Sequence, residues 1–412
     1  MRVLIYSYDA CGLGHLRRNF SIGQEVAERF PTSNVLSIVS SSQGLQCFES
    51  CCDRHDFIKL PGVRKMGGER YASYPLQLSD DEVFELRRQV LDRAIQLFSP
   101  SLIIVDKNPK GLRNEMAPSL EALIKGPSPP RIVLSLRDIL DDPEAVRAEW
   151  TNWGLTRWVE EVYDAIWIWG EERVFDSLRA YQFSESLCGR SRYMGYLPPS
   201  APKEGPDALR ARLGVKGDER WLLVTGGGGG DAAPLYHQTL KALRAMDLSN
   251  LRALIVAGPL MPEEDYLRLK GGVEEFGDQI NLFRHVQRFE DWIRASDAVI
   301  SMGGYNTLRE VAALGKPNLV VPRVYPRVEQ LMRARYFEAN GWCEISMMGD
   351  STSAGIGDFC RRLSAGNLSP CENALECRGF DSLIEEIRAL ESVGAPNVAR
   401  VESGYEGRLT VQ

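Results

Sequence analysis

The sequence predicts an α/β protein made of two doubly wound, parallel-sheet domains that face each other across a cleft. Three observations carry this. Apolar runs of strand length alternate with amphipathic helical segments, the pattern of a doubly wound parallel sheet. The stretch "PPSAPKEGP" at 198–206 interrupts that alternation with four prolines in nine residues and no apolar period. After it the alternation restarts, and 412 residues exceed what one ordinary core organises. The expected division is 1–197 for the first domain, 198–206 for the linker, 207–392 for the second domain and 393–412 for a polar tail.

In the first domain "MRVLIYSY" reads as a buried strand bounded by the glycine-containing turn "DACGLGH". "LRRNFSIGQEVAERF" follows with helical period. "NVLSIVSS", "HDFIKLP", "SLIIVD", "RIVLSLRD", "AIWIWGE" and "SRYMGYL" read as further strands. "SDDEVFELRRQVLDRAIQLF" starts on a serine cap with acids in its first turn, so it predicts a helix. In the second domain "RWLLVTGGGGG" is a strand entering a glycine turn, and "APLYHQTLKALRAM" is a helix. "LRALIVAGPLMP", "INLFRHV", "DAVISMGG" and "NLVVP" are strands. "PEEDYLRLKGGVEEFG" predicts a helix broken at its glycine pair, and "EDWIRAS", "NTLREVAALG", "RVEQLMRARYFEANG" and "FDSLIEEIRALES" predict helices.

Composition bounds the function. Apolar content of 44% with 25% charged residues describes a globular protein. A net charge of −7 argues against a surface built mainly for nucleic acid or anionic membrane, so a phosphate site must be local. The nine cysteines include no CxxC pair and no Cys/His grouping with zinc spacing. That usage implies a reducing compartment and mostly buried thiols; Cys371 and Cys377 could pair, but the absence of a secretory context argues against it. The N-terminus has no signal-peptide pattern, no run approaches the roughly 18 apolar residues of a membrane span, and the expected location is cytoplasmic.

In open α/β sheets ligands bind beyond the carboxyl ends of the strands, so the glycine turns mark the cleft. In "VTGGGGGDA" the N–H groups of Gly227, Gly228 and Gly229, with a helix behind them, form an anion site without a cation. A flexible turn or a dinucleotide fingerprint are the alternatives, but the acid such a fingerprint needs about twenty residues later is missing. "SMGGYNTLREVAALG" repeats the device with Gly303 and Gly304. Asn306 and Thr307 stand where they can cap the helix or bind a phosphate. Glu310, one turn on, is expected ionised near the positive end of the helix dipole, at the mouth of the cleft, ready for a vicinal diol such as a ribose. A capping box of Thr307 with Glu310 is the structural alternative. Glu329 and Gln330 open the next helix, where they can receive sugar hydroxyls or simply face solvent.

In the first turn, His15 follows Gly12 and Gly14 directly after the first strand. An imidazole facing the cleft there can take a proton near neutral pH, or serve as a cap or a phosphate donor. Asp106 and Arg137 end strands of the same domain. Asp106 can orient His15, hold an acceptor hydroxyl or cap its strand, and Arg137 can meet an acceptor anion.

The order G-x-N-[ST]-x-x-E, a strand ending in proline, then [DE]-Q resembles the donor-site signature of nucleotide-sugar glycosyltransferases of the GT-B fold, which pairs two Rossmann-like domains. The resemblance is nearest to the MurG-like branch, glycosyltransferase family 28. It implies that Glu310 grips the donor ribose, and that Gly303, Gly304, Asn306 and Thr307 take the diphosphate. It further implies that Glu329 and Gln330 read the sugar, that "GGGGG" is the other phosphate loop, and that the backbone amide of Val286 meets the base. A UDP-sugar as co-substrate, N-acetylglucosamine as its sugar, an inverting transfer without metal or bound cofactor, and a hydroxyl acceptor are implied in the same way. Contact with a membrane surface through the acceptor is part of that implication, though no patch for it stands out. One departure is Met302, where the family often has a His or Arg for the phosphates, so the diphosphate must rely on amides, hydroxyls or another basic residue such as Arg323 or Arg327. A UDP-sugar 2-epimerase of the same fold and a non-catalytic sugar-nucleotide sensor are the rival readings.

Overall fold

The computed structural model describes residues 1–8, 14–40, 52–67 and 70–392. Gly12 and the tail 393–412 lie outside the described residues. The first domain is a seven-stranded parallel sheet. Its strands are β1 (Arg2–Ser7), β2 (Asn34–Val39), β3 (His55–Lys59), β6 (Leu102–Asp106), β7 (Arg131–Arg137), β8 (Ala165–Trp169) and β9 (Ser191–Tyr193), in the order β3-β2-β1-β6-β7-β8-β9. An antiparallel hairpin of β4 (Val63–Gly67) and β5 (Arg70–Ser73) stands apart from it. The second domain is a six-stranded parallel sheet, β12-β11-β10-β13-β14-β15. It uses β10 (Arg220–Thr225), β11 (Leu251–Val256), β12 (Ile280–Phe283), β13 (Ala298–Ser301), β14 (Asn318–Val320) and β15 (Glu344–Ile345).

The central strands form for the reason the sequence implies. β1, β6 and β8 are apolar runs buried on both faces, as a parallel sheet covered by helices requires. Trp167 and Trp169 of β8 are fully buried, so the "IWIW" run is core. Helix Asp80–Phe98 begins at a complete capping box of Ser79 and Glu82. The helix expected to break at Gly271–Gly272 instead runs unbroken from Glu263 to Glu274. A side chain at Gly272 would sit 3.0 Å from Leu240 Cδ1, so the glycine lets two helices pack closely. Helices Pro143–Asn152 and Thr352–Ser364 and the hairpin were not read from the sequence. Cys371 and Cys377 are free thiols.

In each sheet the chain reverses its strand order beside its first strand, between β1 and β6 and between β10 and β13. Those two switch points carry the loops where a doubly wound sheet binds ligands. The domains meet there through one apolar cluster in which Trp169 and Tyr196 join Tyr305, Leu308 and Phe337. The linker is pinned rather than free, since Arg288 and Arg294 donate to the carbonyls of Ala201 and Ser200. The last helix, Gly379–Ser392, follows the second sheet in sequence but packs on the first domain, with Leu383 and Ile387 in one cluster with Val3, Ile22 and Val26. Among the described residues, no helix is long and apolar enough to cross a membrane. Because Ile387 is fully buried in that cluster, Ile387→Ala is expected to cost about 2–5 kcal/mol in urea unfolding, and a loss under about 0.5 kcal/mol would contradict the docking.

Candidate active site

On the first-domain side, His15 and Arg18 lie three residues apart on helix Gly14–Arg29 and so share a face. Both converge on Asp106 at the end of β6. His15 Nδ1 lies 2.8 Å from Asp106 Oδ2, and Arg18 Nη2 donates to Oδ1. The Tyr8 N–H donates to Oδ2 at 3.2 Å. The His15 ring is close to its carboxylate but not aligned for a hydrogen bond, as is common where a catalytic contact tightens only around substrate. Asp106 is fully buried. Burial favours its neutral form, yet His15 and Arg18 outweigh burial and hold it well below the usual carboxylate range. Burial, then the charge of Arg137, push the His15 imidazole down to about 3 against the pull of Asp106. His15 is therefore neutral at physiological pH, and Nδ1 on the carboxylate leaves Nε2 for a ligand.

On the second-domain side, helix Tyr305–Ala313 starts at Gly304 with no side-chain cap, so its first N–H groups are left for an anion. Gly303 makes the turn possible. Its φ is +77°, and a side chain would come 2.9 Å from Val320 Cγ1. Asn306 does not cap this helix: its Nδ2 donates across the cleft to the Gly14 carbonyl at 3.0 Å. Nor do Thr307 and Glu310 form a capping box. Met302 is a core residue under this turn. In the pentaglycine turn the Gly227 N–H is spent on Thr225 Oγ1 at 3.0 Å, and the Gly228 carbonyl takes the Leu260 N–H at 2.9 Å. Gly229 has φ +88° and would put a side chain 2.2 Å from the Ala257 carbonyl oxygen. Two backbones in contact thus explain part of this glycine run. Val286 is buried against Trp292 and Trp221.

Arg323 connects the two loops. It donates to Asp231 Oδ2 at 2.7 Å, to Glu329 Oε1 at 2.7 Å, and through its backbone N–H to Gln330 Oε1 at 3.0 Å. A pocket between the domains is lined by His15, Lys107, Arg137, Ile139 and Leu140 from the first and by Arg327 and Glu329 from the second. The structure therefore brings His15, Asp106, Arg137 and Glu329 around one space, with Gly14 and Asn306 hydrogen bonded at its edge.

Glu310 departs from expectation. It is fully buried rather than at the mouth of the cleft, and burial raises its carboxyl to about 7, helped by Glu290 and opposed by Arg17 and Arg309. Arg309 Nη2 donates to Oε1 at 2.9 Å. Arg17, from the first domain, bonds Glu290 at 2.6 Å and brings Nη1 to 3.3 Å from Glu310 Oε2. Oε2 itself carries no hydrogen bond. The same pair pushes the Arg17 guanidinium up, so the contact titrates through Glu310 alone. The helix dipole is too weak to ionise a carboxylate that lies this deep.

Sequence reasoning missed Arg17, Arg18, Lys107 and Glu290. The "HLRRN" run held a signal for the first two, because consecutive helical residues point about 100° apart and the pair must serve different neighbours.

The architecture defines the class first. A Polygonum tinctorium UDP-glucosyltransferase overlays with a TM-score of 0.62 at 14% identity, covering 95% of this chain and 98% of that one. Acinetobacter baumannii MurG overlays with a TM-score of 0.54 at 12% identity, covering 94% and 99%. The chain has the GT-B fold. Residues 221–386 then match the glycosyltransferase family 28 C-terminal domain, so the second domain is MurG-like. Over 139 residues the chain is 30% identical to the UDP-N-acetylglucosamine–N-acetylmuramyl-(pentapeptide) pyrophosphoryl-undecaprenol N-acetylglucosamine transferase of Clavibacter michiganensis, covering 33% of this chain and 34% of that relative. An uncharacterised glycosyltransferase of Methanopyrus kandleri is 27% identical over 215 residues, 52% of this chain and 54% of that relative.

Two outcomes follow from the Glu310 site. Because burial lifts its carboxyl to about 7, it is neutral below and ionised above that pH, so the infrared carbonyl band of the neutral acid should fade as pH rises through 7. Glu310→Gln should flatten that profile, and an unchanged profile in the variant contradicts the assignment. Arg17→Ala removes a charge that lowers this carboxyl, so the same profile should move to higher pH. An unshifted profile in that variant would contradict the Arg17 contact.

Proposed function

We propose that this chain transfers a sugar from a nucleotide diphosphate sugar to an acceptor hydroxyl, with inversion and without a metal. The observation that carries the reading is the His15–Asp106 pair at 2.8 Å, set in the pocket that Glu329 of the second domain also lines. UDP as the carrier and N-acetylglucosamine as the sugar rest on the names of the relatives. In this reading the second domain holds the donor, with the diphosphate on the start of helix Tyr305–Ala313 and the glycine turn, the ribose on Glu310 and the sugar on Glu329 and Gln330. The acceptor lies against the first domain. Cysteine usage supports a cytoplasmic setting.

The chemistry then runs as one displacement. The acceptor oxygen attacks the anomeric carbon from the face opposite the diphosphate while its proton passes to His15 Nε2. The carbon–oxygen bond to the β-phosphate breaks, and its electron pair leaves with the diphosphate. Asp106, kept ionised by Arg18, stabilises the imidazolium formed. Helix N–H groups, already oriented, take the charge that grows on the leaving group. Separation of products and turnover needs the domains to open.

His15→Ala should lower UDP release in the presence of acceptor by about 10²–10⁴-fold, with UDP affinity changed less than about twofold. Unaltered turnover in His15→Ala refutes the base assignment. A new sugar nucleotide formed without acceptor would make the protein an epimerase, and binding without any turnover would make it a sensor.

A further inference from the structure

We propose that Asp141 of the first domain is a positioning residue for the donor sugar, acting across the cleft on the start of helix Glu329–Ala339, which carries Glu329 and Gln330. The inference rests on the donor reading above and adds that recognition of the sugar, unlike that of the nucleotide, needs the other domain.

Two consecutive acids after β7 serve helices of different domains. Asp142 caps the helix that follows it in sequence, Pro143–Asn152, where its Oδ1 accepts the N–H groups of Glu144 and Ala145 at 2.9 and 3.2 Å. Asp141 serves the second domain. Its Oδ1 accepts the Val328 N–H at 3.0 Å, and its Oδ2 lies 3.7 Å from Arg327 Nε. Val328 is the N-cap of helix Glu329–Ala339, and no side-chain cap is present there. In a capping box the N-cap N–H is taken by a Glu or Gln three residues on, a position that here holds Leu331. Asp141 supplies the missing acceptor from the other domain and places a negative charge at the positive end of the helix dipole.

A second bond holds the same helix. Arg333 lies one turn beyond Glu329 on the same face, is fully buried, and donates to the Ile139 carbonyl at 2.9 Å. The segment after β7 thus grips the helix at its start and again one turn in. Ile139 and Leu140 of that segment line the pocket together with Glu329. Within the second domain, Arg323 holds one oxygen of Glu329 and the amide oxygen of Gln330. Glu329 Oε2 is left buried without a hydrogen bond. A buried carboxylate oxygen with no partner is costly until a ligand hydroxyl answers it, and where that oxygen stands depends on where the helix begins. With the domains apart, the helix start loses its acceptor. The diphosphate, on the start of helix Tyr305–Ala313, has no such dependence on Asp141.

The test is calorimetry of UDP, UDP-N-acetylglucosamine and UDP-glucose, the carrier and sugars in the relatives' names, with the wild type, Asp141→Ala and Asp141→Asn. The expected wild type binds one of the two sugar nucleotides more tightly than UDP. In Asp141→Ala that sugar nucleotide should weaken by about three- to thirtyfold, the scale of a lost helix cap. UDP affinity should stay within about twofold, which also shows that the variant is folded. Asp141→Asn keeps an acceptor for the Val328 N–H and should restore binding to within about twofold of the wild type. A sugar nucleotide bound equally well by Asp141→Ala would overturn the proposal, and so would UDP and sugar nucleotide weakened alike, which makes Asp141 a structural contact. An asparagine variant as weak as the alanine one would place the effect in the Arg327 ion pair and overturn it too, as would a wild type to which neither sugar adds affinity over UDP. If the wild type binds none of the three, the donor reading itself falls and takes this inference with it.

Discussion

A carboxylate taken wholly out of water must be answered by opposite charge and hydrogen bonds, and Asp106 is that carboxylate. It sits at the switch point of the first sheet and is met by Arg18 and His15 from one helix face. His15 and Arg18 hold Asp106 ionised against burial, Asp106 stands on the Nδ1 side of the imidazole, and burial with Arg137 keeps the ring neutral. Removing Arg18 would strand a buried charge, which costs about 3–5 kcal/mol in comparable sites. The site's polarity and the domain's stability thus depend on the same three side chains.

The second constraint is closure. The domains share an apolar cluster and several charged contacts across the cleft. Arg333 of the second domain is fully buried and donates to the Ile139 carbonyl of the first at 2.9 Å. Arg17 lies on the carboxylate that a ribose would use. In this structure Arg17 of the first domain lies 3.3 Å from the Glu310 carboxyl that the proposal assigns to the donor, so binding in that reading must exchange a protein–protein contact for a protein–ligand one.

Much of this was legible in the sequence. Alternating apolar runs and the proline stretch yielded two parallel sheets, because strands buried on both faces leave an unmistakable pattern. The glycine turns located both switch points, and His15, Asp106, Arg137 and Glu329 meet there as their strand and helix ends implied. What periodicity could not reveal was depth and domain contact. Glu310 was expected ionised at a helix start, and only the packed structure shows that it is sealed by Arg17 from another domain. Asn306 was expected to cap the helix or bind a phosphate, but its Nδ2 bonds a carbonyl 292 residues away. Gly229 was read as a phosphate contact, a flexible turn or part of a dinucleotide fingerprint, whereas a neighbouring backbone also demands it. The family 28 model matches residues 221–386, within the second domain, and the proposed base and acceptor chemistry rest on the geometry of the first.

The central claim is that burial and Arg137 keep His15 neutral while Asp106 fixes its open nitrogen. Ring ¹⁵N shifts of the 412-residue chain across about pH 5–8 measure this directly, because the neutral tautomers and the imidazolium have distinct signatures. A neutral ring protonated on Nδ1 over the whole range is the expected result. An imidazolium that persists above about pH 6, near the ordinary histidine value, or a neutral ring protonated on Nε2, would contradict it.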